Sequence, residues 1–382
     1  MANVESANLQ VSSNWQAALP FWLSLALVPL IWIAAISGGF WVILPFLVTW
    51  YLFSIIDAFA GLNEANPNPD TPDDQLYWYR LITIIWPPIQ FITLFGVLWY
   101  ATRALHLGGW ELVFLFLGVG VVTGTVGINY SHELMHQKPK LERWSADILL
   151  AMVLYSHFRS EHLLVHHRYV GTPKDPVTAK FNEGLYRFFI RVLKESFLSA
   201  WDADKAMRDR KGAGFWDPSN PYVRYIGLQA AFLILALLIG GWVGLCLFVW
   251  QAFVAVFHLE TVNYIEHYGL VRKHLGDGKY EHVQPHHSWN ASHKATNWLL
   301  INLQRHSDHH YKPNRRFPLL QTYNGNEAPQ LPFGYTTMGI LAITPTLWRR
   351  VMNPRVRKWR AMYYPEILDW MPYNKKTNPM PR

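Results

Sequence analysis

The sequence predicts an all-α integral membrane protein of six transmembrane helices with a cytoplasmic helical or irregular cap. Three observations carry that expectation. Long windows lack Asp, Glu, Lys and Arg altogether, histidine is abundant where cysteine is nearly absent, and the histidines gather in four short clusters beside the apolar windows. Of 382 residues, 51% are hydrophobic, 15% aromatic and 16% charged. A soluble domain carries about a quarter charged residues.

The apolar windows come in order. Phe21 to Ile56 is uncharged and is interrupted by Ser37-Gly38-Gly39, which reads as two spans and a tight turn. Leu81 to Thr102 is a third span, with Pro87-Pro88 expected to kink it, and Leu112 to His132 a fourth. Tyr225 to Leu259 carries Gly240-Gly241 near its middle and reads as spans five and six. Each has the ~20 apolar residues that a bilayer core requires. Trp22, Trp41, Trp50, Tyr51, Trp99, Tyr100, Trp110 and Trp242 sit near the proposed ends, as an interfacial belt would have them.

Six spans put both termini on one side. Of 34 Lys and Arg, only Arg103 then falls opposite, so the positive-inside rule places the termini and the large polar segments in the cytoplasm. The expected organisation is a cytoplasmic segment 1–20, spans at 21–132, a cytoplasmic segment 133–224, spans at 225–262 and a cytoplasmic cap 263–382. No signal peptide is read at the N-terminus. The net charge of +8 is explained by this topology without nucleic acid.

The chain has 17 His and one Cys, Cys246. One cysteine excludes an internal disulfide, a cysteine zinc ribbon and a cysteine-bound iron–sulfur centre within these residues. The clusters are His132-Glu133-Leu134-Met135-His136, Glu161-His162-Leu163-Leu164-Val165-His166-His167, Asn263-Tyr264-Ile265-Glu266-His267-Tyr268-Gly269 and Leu303-Gln304-Arg305-His306-Ser307-Asp308-His309-His310. Residues three and four apart share a helix face. His132 with His136, and His162 with His166, can therefore point at one ion, with His167 turned partly towards a second. His306, His309 and His310 repeat the pattern, and His267 adds one more. Nine imidazoles exceed the three ligands of a catalytic zinc and suit two ions. Glu133, Glu161, Glu266 and Asp308 are expected to accept the far N–H of ligating imidazoles, or to bridge the ions.

Other histidines carry plainer readings. His106, His274, His282 and His293 read as polar surface, and His157 and His258 as satisfied buried residues. His286-His287 is ambiguous. The His132-Glu133-x-x-His136 spacing also matches a zinc protease, with Glu133 as general base, but such a site needs one further ligand, not seven. A transporter would carry its histidines within the spans rather than at their ends.

These clusters resemble the histidine-box superfamily of membrane desaturases and hydroxylases, and within it the bacterial membrane-bound alkane 1-monooxygenases. The similarity runs from the first span to about residue 352. The third and fourth clusters are its most specific points, joined by His287-Ser288-Trp289-Asn290 and Asp175-Pro176. Gln137 stands where that family often has Lys. The resemblance implies two iron ions, O2 as co-substrate and hydroxylation of the terminal carbon of medium-chain alkanes. It implies electrons from rubredoxin, reduced by a reductase using NAD(P)H, and residence in the bacterial inner membrane. It also adds Asp175 to the residues that orient the ligands. Trp50 matches a position that restricts substrate length in that family, although it also reads as an interfacial belt residue. A fatty-acyl desaturase or hydroxylase of the same superfamily is the nearest alternative.

Overall fold

A computed structural model describes residue 11 and residues 13–374. Parts of the expected N-terminal segment and of the terminal cap lie outside the described residues. Among the described residues, five helices are long and apolar enough to cross a membrane: Trp15–Ser37, Gly39–Ala60, Asp73–Ala101, Gly109–Met135 and Pro221–His267. The turn at Ser37-Gly38-Gly39 is where the sequence puts it, with Gly38 and Gly39 at φ +61° and +54°. The third helix runs on through Pro87 and Pro88.

The window expected to hold spans five and six is one helical element of 47 residues, interrupted at Gly241 (φ 60°, ψ −152°). A straight helix of that length would measure about 70 Å, more than twice a bilayer core of ~30 Å. It does not run straight. A Cβ on Gly244 would lie 2.9 Å from the Ala236 carbonyl oxygen, eight residues back. Only a reversal brings those residues together, so the element is a helical hairpin bent at Gly241.

The returning arm packs closely on helix Gly109–Met135. A Cβ on Gly120 would meet the Gln251 carbonyl oxygen and Val254 Cβ at 2.6 Å. A Cβ on Gly124 would stand 3.0 Å from Ala255. Small residues four apart permit this approach where apolar surroundings give no hydrophobic drive. Gln251 fastens the contact, accepting from Thr123 Oγ1 (2.9 Å) and donating to the Met152 carbonyl (2.8 Å).

Outside these helices lie Lys140–Met152, the helical segment 158–169, Leu185–Arg210, Lys294–Leu299, His306–Tyr311, Tyr335–Ala342 and Pro345–Tyr363. The cap, expected to be helical or irregular, contains the helices Tyr335–Ala342 and Pro345–Tyr363. Trp348, Met352, Val356 and Trp359 recur at helical spacing and are buried on one face of Pro345–Tyr363. They join Tyr264 and Tyr268 in a second apolar core, with the Trp348 and Tyr264 rings 5.1 Å apart. A two-stranded hairpin, His274–Gly276 with Lys279–Tyr280, departs from the all-α expectation. Asp277 and Gly278 form its turn at φ 50° and 70°.

Polar contacts tie this part to the apolar helices and to the loop that follows the second of them. Asp57 accepts from the Ala295 and Thr296 amides (2.7 and 3.1 Å) and from Thr296 Oγ1 (2.6 Å), capping helix Lys294–Leu299. Arg316 bridges Glu142 (3.0 Å) and Asp73 (3.0 Å). Arg305 donates to the carbonyls of Leu320 (2.6 Å) and Ala65 (3.0 Å).

The Gly120 contact yields a prediction. Gly120→Ala forces a methyl into 2.6 Å contacts, an overpacking cost of about 1–3 kcal/mol. Thermal unfolding in detergent should drop for this variant. Gly109→Ala, with nothing within 4 Å, should leave the midpoint unchanged.

Candidate metal centre

The apolar helices end where the histidines begin. His132 lies in the last turn of Gly109–Met135, and His267 closes the hairpin arm. The segment 158–169 brings His162, His166 and His167, and the short helix His306–Tyr311 brings the rest. All nine are drawn together. His132, His136, His162 and His309 offer ring nitrogens within 4.8 Å of one another, as do His166, His267, His306 and His310. Nε2 atoms run from His136 to His162 (3.0 Å), to His167 (2.9 Å) and to His309 (3.1 Å). A second run joins His166, His310, His306 and His267 at 3.2, 3.0 and 3.1 Å.

The pairing differs from helical spacing in one respect. His162 and His166 were expected to share an ion, yet they fall in different groups, and His167 joins His162. The cause is a π-helical turn over His162–His166, closed by the His167 amide on the His162 carbonyl. A π-turn aligns residues five apart instead of four. His306 and His310 keep the i, i+4 relation, while His309 turns to the other group.

Can these nitrogens hold ions? Their spacing fits. Metal–imidazole bonds of about 2.1 Å put neighbouring nitrogens of an octahedral shell about 3.0 Å apart. Their protonation fits as well. Burial, then the neighbouring imidazoles, holds His162, His167, His306, His309 and His310 well below the ordinary histidine range and takes His136 down to about 3. Neutral imidazole is the ligating form. His166 Nδ1 meets Asp175 Oδ2 at 3.0 Å, and Asp175 also accepts from Thr178 Oγ1 (2.6 Å). The His166 proton therefore sits on Nδ1, which leaves the Nε2 lone pair facing the group.

The other carboxylates take diverse positions. Glu161 is fully buried beside His166 and Asp175, and neither of its oxygens has a hydrogen-bond partner. Burial and the nearby carboxylates hold its carboxyl well above the ordinary range. An unpaired buried carboxylate is costly, and cations beside it would offset that cost. Glu266 Oε2 lies 3.2 Å from His306 Nε2, on the side where the nitrogens converge rather than behind a ring. Glu133 accepts from Gln137 (3.1 Å). Asp308 is held by Arg315 (2.7 Å), Tyr323 (2.8 Å) and the Gln321 amide (2.9 Å). It fastens the following loop.

Glu281, His286 and His287 form a further gathering of donors within 4.8 Å. Here the tautomer argues against a metal. His287 Nδ1 accepts from the Gln284 amide (2.8 Å), so the neutral ring carries its proton on Nε2. That nitrogen faces the Tyr364 hydroxyl (2.8 Å) and Glu281 (3.3 Å). Burial works to raise Glu281, but bonds from His287, the Lys273 amide and Tyr364 take its carboxyl down to about 2. The group is a fastener between this loop and the end of Pro345–Tyr363. Among the remaining histidines, His274 is buried and not on the surface.

A cavity opens on both histidine groups. His132, His162 and His306 form one end, and Ile128, Leu259 and Val262 are among its apolar walls. Trp50 is buried, unlike the other proposed belt residues Trp41, Trp99 and Trp242. Three π-turns occur among the described residues: Val48–Leu52, Thr123–Ile128 and His162–His166. The first carries Trp50, and the other two supply walls of the cavity. Thr178 behind Asp175 was missed by sequence reasoning. An Asp followed three residues later by Thr in a loop was the available signal.

Helices of this apolarity with histidines at their ends place the chain in a class. The family model for fatty acid desaturases matches residues 108–342. The chain is 36% identical over 362 residues to alkane 1-monooxygenase 2 of Alcanivorax borkumensis, covering 92% of each protein. It is 38% identical over 355 residues to alkane 1-monooxygenase 1 of Pseudomonas aeruginosa, covering 89% of this chain and 90% of that one. A xylene/toluene monooxygenase hydroxylase component of Pseudomonas putida is 29% identical over 251 residues, 65% of each. The chain belongs to the alkane 1-monooxygenase family and is a monooxygenase.

Depressed histidines make stability fall with acidity. A ring held neutral in the folded chain takes up a proton on unfolding below its ordinary value near 6.5, so the folded state loses ground as pH falls through that value. The six rings named above act in this direction. The thermal midpoint in detergent should be lower at pH 5.5 than at pH 7.5. Equal midpoints would contradict it.

Proposed function

We propose that this chain hydroxylates the terminal carbon of medium-chain n-alkanes with O2, at two histidine-held irons supplied with electrons by rubredoxin. The observation that carries this reading is two groups of converging imidazole nitrogens at one end of a largely apolar cavity. His132, His136, His162, His167 and His309 would hold one ion and His166, His267, His306 and His310 the other. Iron bound there would supply the activation of oxygen. The nine neutral rings bring no charge of their own, so Glu161, Asp175 and Glu266 are the nearby groups that would balance two cations.

The protein's further task is to orient a substrate with no polar handle, which only the shape of an apolar channel can do. Ile128, Phe158, Leu259, Val262, Leu300 and Leu303 would guide the methyl end towards His132, His162 and His306. The same walls exclude water from the reacting carbon. The buried position of Trp50 favours a place behind the channel wall over a belt role. We read the hairpin at Gly241 as two crossings, which makes six, with both termini cytoplasmic in the bacterial inner membrane. The basic residues of the cytoplasmic segments would attract a small acidic electron carrier.

Purified protein should contain two irons per chain. It should form 1-octanol from octane when given rubredoxin, its reductase and NAD(P)H. One zinc per chain, or no oxygen uptake, would sink the reading. Asp175→Asn should lower iron affinity or turnover about 10–100-fold by releasing His166. Its circular dichroism should stay that of the parent. Full iron content and rate in this variant would remove Asp175 from the account.

A further inference from the structure

The family resemblance offers Trp50 as a position that restricts chain length, beside its reading as an interfacial residue, yet Trp50 is not among those lining the cavity. His258 is, together with Gly124 and Thr125. The Trp50 ring lies behind it, 5.3 Å from the His258 ring and edge-on to it. Beyond Trp50 come Val121, Val254 and Phe46, a separate apolar cluster.

We propose that the His258 imidazole is the stop at the far end of the substrate channel, and that Trp50 acts on chain length by supporting it. Three contacts hold the ring. Its Nε2 is hydrogen-bonded to Thr125 Oγ1 at 3.0 Å. Trp50 packs against one side. Gly124 leaves the room, since a Cβ there would lie 3.1 Å from His258 Cβ. A polar ring in an apolar wall is costly unless bonded, and the Thr125 hydroxyl supplies that bond. The hydrogen bond and the packing together make the ring a fixed stop rather than a mobile one.

This inference rests on the alkane reading, and the test keeps the two apart. Detergent-purified enzyme with its electron carriers is given a series of n-alkanes from hexane to hexadecane, and the primary alcohols and the iron per chain are measured. The parent forming no alcohol from any alkane would defeat the alkane reading and the stop with it. With an active parent, His258→Ala should shift the product profile to longer chains while iron content holds. His258→Phe should keep the parent's limit, because ring size makes the stop. Trp50→Ser should produce a smaller shift than His258→Ala. A His258→Ala profile identical to the parent's, or a larger shift from Trp50→Ser, would overturn the proposal. If His258→Ala fails to fold, a longer-chain profile in His258→Phe would overturn it equally.

Discussion

Nitrogen lone pairs about 3 Å apart in a buried space repel one another unless a cation sits among them, and the rest of this fold is arranged to impose that crowding. Two of the four contributing segments are ends of apolar helices, whose packing in the helix bundle fixes where His132 and His267 stand. The other two lie outside the apolar helices and must be tied down. Arg316 between Glu142 and Asp73, Asp57 at the start of helix Lys294–Leu299, and Asp308 with Arg315 fasten the chain around His306–Tyr311, and Arg159 with Asp147 fastens the segment 158–169. Each tie joins residues far apart in sequence or fastens a loop. The apolar helices thus act as a frame, and the ionic contacts close a lid of histidines onto it.

Two of the three π-turns among the described residues lie where the frame meets the cavity. Each of the three π-turns adds one residue to a turn and shifts every side chain that follows. At His162–His166 the shift decides which histidines meet. Thr123–Ile128 supplies Gly124, Thr125 and Ile128 to the cavity wall, on the same helix that Gly120 and Gly124 press against the returning arm. π-turns are rare and cluster at functional sites. Here they reconcile tight helix packing with space for a substrate.

Much of this was legible in the sequence because it rests on composition and local period. The apolar windows and their glycine turns fall where the charge-free runs put them, and the histidine clusters converge as their positions at helix ends suggest. The partition of His162, His166 and His167 was not legible, since a period of 3.6 cannot register a π-turn. The two readings of Trp50, channel position and interfacial residue, stayed open because hydropathy does not reveal which face of a helix is covered. The helix Pro345–Tyr363 was masked by its charge and by Pro354, although Trp348, Met352, Val356 and Trp359 carry the period. The Asp277-Gly278 turn was a legible hairpin signal that a wholly helical expectation passed over. Glu133 and Asp308 sit beside histidines in sequence but bond elsewhere, because adjacency along a helix points side chains apart. The long-range partners of Asp57 and Arg316 had no local signature.

The central claim is that two ions share nine imidazoles from four segments. X-ray absorption at the iron edge of the purified, loaded protein tests it most directly. The account predicts a first shell dominated by four to five imidazole nitrogens per iron at about 2.1 Å, with the outer-ring scattering of imidazole. A shell dominated by carboxylate oxygens, or no bound iron under conditions that load zinc, would contradict it.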